Sequence, residues 1–586
     1  MSIRPLLILL AMQVVACPAA AQQNAPLTWW TTHSMQKVRP NDPMPFSRRH
    51  TAHLYAARNE FEAFQLVFRS DTQNVQGVDV DVSDFRDAGG KDVISKESVT
   101  VYLEEFINVQ TPSTVEGAVG LWPDPLVPRV DRYAGERRNA FPFTVQQGLN
   151  QPVWIEVYVP STAEPGSYSG SVTVSINGEA AFSVPVTLTV WNFTLPSTAT
   201  LRSSFGFSGV AAVKQHRGRY TTDADLYALT GLYAKAALLH RISIHGGSMA
   251  PPRYTFDSSG RIHVDWSAYD AEVAPFLDGS ILGARQPLPG ARFTSIDVRT
   301  PASLQSDEER IAYWTEWTQH FQQNGWLDRL FLYLWDEPAK SDFLQLLQRG
   351  HAAAGVSPPL RNLVTTIYTQ QLAPVVQIWV PLVNCLEPKP GFDDLCLQTP
   401  PLSSYTAEIQ KGKQVWFYQS CASHGCSSTG GSYYVGWPSY MIDIFAPANR
   451  AMQWIAWKYR MEGELYYSMN QAYSSGTDPW ESVYLFGGNG DGTLFYPGRP
   501  DRIGGSTDIP IESIRLKLIR EGMEDYEYLA LLSQLAGPDA ADQYAARIVR
   551  KPYNWESRPE AFLSVRMEMG RDLNRLAAGP GGPDAR

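Results

Sequence analysis

The sequence is poor in the features that mark several large protein classes. Only 5 cysteines and 10 histidines occur in 586 residues. The one mixed cluster, CASHGC (Cys421, His424, Cys426), has neither a second CxxC nor an HExxH beside it, so a zinc site is disfavoured. No block of Lys or Arg offsets the net charge of −10, which argues against a nucleic-acid partner. No segment after the N-terminus has the roughly 18 consecutive apolar residues of a membrane helix. No GxGxxG or phosphate loop stands in a strand–turn–helix setting, so no nucleotide cofactor is implied, nor any other. GGNGDG (487–492) lacks the spaced acids of an EF-hand loop and reads as a tight turn.

What is present is a globular composition, 44% hydrophobic and 18% charged, with a 12% aromatic share that includes 17 Trp and 28 Tyr. Such a share suits proteins that stack flat rings on sugar faces, and equally suits large aromatic cores. Arg4, the apolar stretch Leu6 to Ala16 and the small residues Ala19-Ala20-Ala21 form an export signal over residues 1–21. Val14-Val15-Ala16-Cys17 also resembles a lipoprotein acylation box. Pro18 directly after the cysteine disfavours that version, so a soluble periplasmic or extracellular protein ranks ahead of one anchored through Cys17. Export makes disulfides the expected fate of Cys385, Cys396, Cys421 and Cys426, with the local pairs Cys385–Cys396 and Cys421–Cys426 preferred.

Residues 27–197 alternate apolar and polar positions between Gly, Pro and Asn turns, as in FEAFQLVFRS (61–70) and VWIEVYVP (153–160). That pattern predicts an N-terminal β-sandwich. LPSTAT (195–200) reads as a linker. From residue 201 to 578, strand-like runs alternate with helical ones, which predicts a (β/α)8 barrel of the TIM type. A long amphipathic helix over about 511–535 closes it, and residues 579–586 read as a disordered tail.

Within the barrel, FLYLWDEPAK (331–340) stands out. Five apolar or aromatic residues, as in a strand buried on both faces, run into Asp336 and Glu337. Barrel enzymes place their chemistry at the C-terminal ends of such strands. Pro338 disfavours a helical Glu337 and predicts that the chain leaves the strand extended. Two crowded carboxylates beside an aromatic wall should titrate apart, giving the acid and anion that glycosidic cleavage uses. A helix N-cap is the alternative use of such acids.

Three further stretches carry a resemblance: GDGTLFYPG (490–498) followed by SIRLKLIREGMEDYEYL (513–529), AARNEFEAFQLVF (56–68) and YLWDEP (333–338). On these the chain resembles glycoside hydrolase family 123, bacterial β-N-acetylgalactosaminidases, and related proteins sharing its catalytic domain. The resemblance covers nearly all of the chain after the signal, and it implies the same sandwich-plus-barrel architecture. It further implies an exported, retaining exo-enzyme with Glu337 as acid and then base. Asp336 would be the anion that orients the 2-acetamido group of the sugar. A glycosidase of the same scaffold acting on another sugar, and a non-catalytic glycan-binding protein, are the competing readings.

Other rim positions follow from the barrel reading. Tyr368, Tyr418 and Asn470 end strand-like runs and would face the same rim, as would His245 at the end of RISIHGG. Trp335, Trp379, Trp437 and Trp480 are the candidate sugar platforms, each also a plausible core residue. The charges of REGMEDYEYL (520–529) read as a structural helix ion-paired to the barrel, with Gly522 marking a tight contact or a break.

Overall fold

The computed structural model describes residues 27–245, 251–391, 396, 398–426 and 431–578. The export signal, Cys17 and the 579–586 tail lie outside these residues, as does the end of RISIHGG. No helix among the described residues is long and apolar enough to cross a membrane.

The N-terminal part forms two β-sheets. One is antiparallel throughout and orders Thr28–His33, Glu60–Arg69, Asn150–Val159, Val99–Val109 and Gly120–Pro128. Its last two strands, Ile509–Ser513 and Phe495–Gly498, come from far along the chain. The other sheet centres on Gly166–Ile176 and Glu179–Thr194. Leu66, Phe68, Val153 and Ile155 of the first sheet share one core with Val172, Val174, Val186 and Leu188 of the second.

Strand alternation would leave the other face of the first sheet in water. Instead Phe61, Ala63, Tyr102 and Trp154 join the large core of the barrel and its helices. The interleaved polar residues Glu60, Gln65 and Glu156 are fully buried with them.

Eight parallel strands follow: Arg202–Gly206, Ile244–His245, Ile296–Asp297, Leu330–Trp335, Asn362–Val364, Ile378–Trp379, Gln414–Gln419 and Gly463–Tyr466. Neighbours pair in chain order, and the first strand pairs with the eighth. Only the second and third are not bonded to each other, so the sheet is a nearly closed barrel. Phe331, Leu363, Ile378, Trp416 and Leu465 fill its interior. Several strands are far shorter than their sequence runs: ARFTSIDV yields only Ile296–Asp297.

The closing helix runs Ile514–Ala536, capped by the Ser513 hydroxyl, which accepts the Leu516 N–H. Residues 511–513, expected at its start, are instead strand, because they pair with the N-terminal sheet. The helix is also not amphipathic. Arg515, Lys517, Arg520, Glu521, Glu524 and Asp525 are all buried, since it runs between the first sheet and the helix Ala446–Tyr459. Lys517 and Arg520 meet Glu156, while Arg450 meets Glu521 and Asp525. Gly522 does not break the helix. A Cβ there would lie 2.2 Å from Gln453 Oε1, so the glycine permits close helix–helix contact.

Glu464, in the eighth strand, is buried and accepts from Tyr440 Oη and from Gln453 Nε2 at 2.7 Å. Burial pushes its carboxyl up to about 7. The folded value then exceeds the unfolded one, so its contribution is complete below about pH 4.5 and is lost as pH rises through 7. Thermal unfolding at pH 5 and pH 8 is expected to show the wild type losing stability. In Glu464→Gln that loss should shrink by roughly 2 kcal/mol. Equal slopes for the two proteins would contradict this.

Candidate active site

The fourth barrel strand presents the acids. Phe331 and Tyr333 point into the barrel, while Leu330, Leu332 and Leu334 pack on the outer helices. The ladder to the fifth strand pairs Tyr333 with Leu363 but Trp335 with Val364, leaving Leu334 as an extra residue. Such a bulge re-aims the side chains beyond it, a common device beside active sites. Here it sets Trp335 half-buried against the helix side, with the Arg349 guanidinium 4.8 Å from its ring centre.

Asp336 and Glu337 follow, both exposed at the rim. Asp336 Oδ1 accepts two hydroxyl bonds, from Tyr333 and from Thr365, each 2.8 Å. Glu337 Oε1 accepts from Tyr418 Oη at 2.5 Å, and the Glu337 N–H donates to Thr365 Oγ1 at 2.7 Å. The chain does not leave the strand extended: Glu337 has φ 43°. Pro338 disfavours the right-handed helical region at Glu337, and the left-handed one aims its N–H at Thr365. A non-glycine residue there costs about 1–2 kcal/mol, which the Thr365 and Tyr418 bonds offset.

Burial, then the charges of Asp336 and Glu337, push the Tyr333 and Tyr418 hydroxyls well above the usual tyrosine range. Both therefore stay protonated donors at any working pH. His245 is buried behind them, its ring edge-on to Tyr333 at 5.9 Å and its Nδ1 2.9 Å from Ser204 Oγ. Burial lowers its proton affinity and favours the neutral ring.

The remaining candidates are engaged within the chain. The Asn470 amide closes on the backbone of Ser208, donating and accepting at 2.9 Å. The indole N–H of Trp379 donates to Glu408, that of Trp437 to the Tyr433 carbonyl, and that of Trp480 to the Pro497 carbonyl. Tyr368 packs 5.2 Å from the Trp379 ring. The structure thus gathers Asp336, Glu337 and Tyr418, with His245 behind, and adds Tyr333 and Thr365. Inward parity along FLYLW was the available signal for Tyr333. Thr365 carried none, because its place depends on the pairing of two strands.

Asp336 lines a shallow cavity of about 410 Å³ with Tyr333, Leu334, Trp335 and Arg349. A larger one, about 860 Å³, lies between Lys37, Trp122, Tyr553 and Trp555 and contains neither acid. Chemistry rather than size selects the site. The cysteines form the disulfides Cys385–Cys396 and Cys421–Cys426, so CASHGC offers no thiolate to a metal. No metal-holding group of His, Cys, Asp and Glu occurs among the described residues.

Two family profiles match the chain: "Glycoside hydrolase 123 N-terminal domain" over residues 30–176 and "Glycoside hydrolase 123, catalytic domain" over residues 308–532. Among solved structures, a family 123 glycoside hydrolase from Clostridium perfringens, described for glycolipid glycan hydrolysis, aligns with TM-score 0.65 at 16% identity. The alignment covers 94% of this chain and 98% of that one. A family 39 glycoside hydrolase from Bacteroides cellulosilyticus aligns at 10% identity over 83% of this chain and 82% of that one, with TM-score 0.32. That score is too low to carry an argument. No curated protein matches the sequence.

Proposed function

Because the chain belongs to glycoside hydrolase family 123, we propose that this glycosidase is an exported, retaining exo-β-N-acetylgalactosaminidase that works by substrate assistance. Glu337 donates its proton to the glycosidic oxygen as the bond from that oxygen to the anomeric carbon breaks. The sugar's own acetamido oxygen attacks the anomeric carbon and forms an oxazolinium ion. Asp336 accepts from the acetamido N–H and offsets the positive charge. Water then adds to the anomeric carbon, opening the ring, and gives its proton to Glu337.

The observation that carries this reading is the pair of adjacent acids with unlike hydrogen-bond surroundings. Asp336 Oδ1 accepts two hydroxyls, which hold that carboxyl in place. Glu337 Oε1 accepts one, from Tyr418. Retaining enzymes that use a protein nucleophile set their carboxyls about 5–5.5 Å apart across the scissile bond. Neighbouring residues leaving one strand suit a mechanism in which the substrate supplies the nucleophile. The two disulfides support export.

The test is turnover of nitrophenyl β-glycosides of N-acetylgalactosamine, N-acetylglucosamine, galactose and glucose. Activity confined to the two acetamido sugars, stronger on the galactosaminide and inhibited by a thiazoline mimic of the intermediate, is expected. Activity only on galactose or glucose would keep a glycosidase and discard substrate assistance. Glycan binding without turnover would favour the binding-protein reading.

A further inference from the structure

We propose that Thr365 is a positioning residue that sets the geometry of both acids. The inference rests on the reading above, that Asp336 and Glu337 perform the cleavage. Thr365 lies just past the fifth strand, 2% exposed, and its own N–H donates to the Trp335 carbonyl at 3.4 Å. Its hydroxyl bonds both acid residues: it accepts the Glu337 N–H at 2.7 Å and stands 2.8 Å from Asp336 Oδ1.

A threonine hydroxyl has one proton and two lone pairs. The Glu337 amide N–H can only donate, so it takes a lone pair and the hydroxyl proton is left for Asp336. This fixes the direction of the chain of bonds: Glu337 N–H to Thr365, Thr365 O–H to Asp336. Asp336 Oδ1 must therefore accept. Tyr333 adds a second donor to the same oxygen, at 2.8 Å. Oδ1 is thereby saturated and Oδ2 is the oxygen left for the sugar.

The same hydroxyl supports the unusual backbone of Glu337. With φ 43°, Glu337 holds a conformation that L residues rarely keep without help. The bond from its N–H is such help, and the Tyr418 hydroxyl on its side chain is another. Loss of the Thr365 hydroxyl would free the backbone that aims the proton donor and remove one of two donors from the anion. A displacement of about 1 Å at a reacting group costs on the order of 100-fold in rate.

The experiment compares kcat, KM and unfolding temperature for wild type, Thr365→Val, Thr365→Ser and Glu337→Gln, on the panel glycoside that the wild type turns over best. For Thr365→Val, kcat is expected to fall about 30- to 100-fold while KM changes less than about threefold. Thr365→Ser keeps the hydroxyl and should stay within about fivefold of wild type. Thr365→Ala gives the same readout if valine prevents folding. A valine variant with more than half the wild-type kcat overturns the proposal alone. So does a kcat loss that tracks a lowered unfolding temperature and is not recovered in Thr365→Ser, since that is a merely structural role. A wild type that turns over none of the glycosides, indistinguishable from Glu337→Gln, overturns the underlying reading and this proposal with it.

Discussion

Glu337→Gln is expected to lower kcat on a nitrophenyl N-acetyl-β-galactosaminide by about 100- to 1000-fold, and on a glycan with a poor leaving group by more. The difference follows from the chemistry. Nitrophenolate departs with little help, so the first step suffers modestly, whereas water still needs a base to open the oxazolinium ion. A sugar alcohol needs the proton as well. The upper figure corresponds to about 4 kcal/mol of lost transition-state stabilisation. Folding should be untouched, because the Glu337 side chain is exposed and the glutamine carbonyl can still accept from Tyr418. An unchanged unfolding temperature would then assign the loss to chemistry. A variant keeping more than a tenth of wild-type turnover would move the acid's role to another group.

The acid pair was legible in the sequence for a physical reason. A strand buried on both faces has little reason to end in two charges unless the ends are used, and Leu330 to Leu334 are buried apart from the half-buried Tyr333. The backbone of Glu337 was not legible. Pro338 signalled what the residue avoids, and the position of Thr365 just past the neighbouring strand decides what it adopts. The tryptophans were not legible either. Their ring chemistry is the same in a sugar platform and in a core, and the difference lies in where the indole N–H finds its acceptor. For Trp379 that is Glu408, and for Trp480 the Pro497 carbonyl.

The polar positions of the N-terminal strands misled in the same way. Glu60 and Glu156 alternate with apolar residues as though facing water. They face Arg566, Lys517 and Arg520 across a buried junction with the C-terminal helices. Alternation reports that a strand has two unlike faces. It does not report what covers the polar one.

That junction carries the second large effect. Arg450→Met should lower stability by about 3–5 kcal/mol, because it removes the cation from two buried carboxylates. The guanidinium holds Asp525 through two bonds, at 2.6 and 2.7 Å, and also bonds Glu521. Arg566 and the Trp454 indole stay on Asp525, so Glu521 is left the more poorly compensated, with the Ser34 hydroxyl at 3.1 Å and the nearby charge of Arg520. Burial already pushes both carboxyls up against the pull of Arg450. Without the arginine they rise further. The sign follows: a group whose folded value exceeds its unfolded one stabilises below the unfolded value and loses that contribution as pH rises. The penalty of Arg450→Met should therefore be larger at pH 8 than at pH 5. Adding Glu521→Gln to Arg450→Met should recover at least about 1 kcal/mol, as expected for directly bonded residues. Denaturant unfolding at the two pH values measures both quantities. Equal penalties at pH 5 and 8, with no recovery in the double variant, would mean that the pair contributes only through packing. KM for the glycoside should stay near the wild-type value, because these side chains bond one another and the strands they cover rather than the acids at the rim.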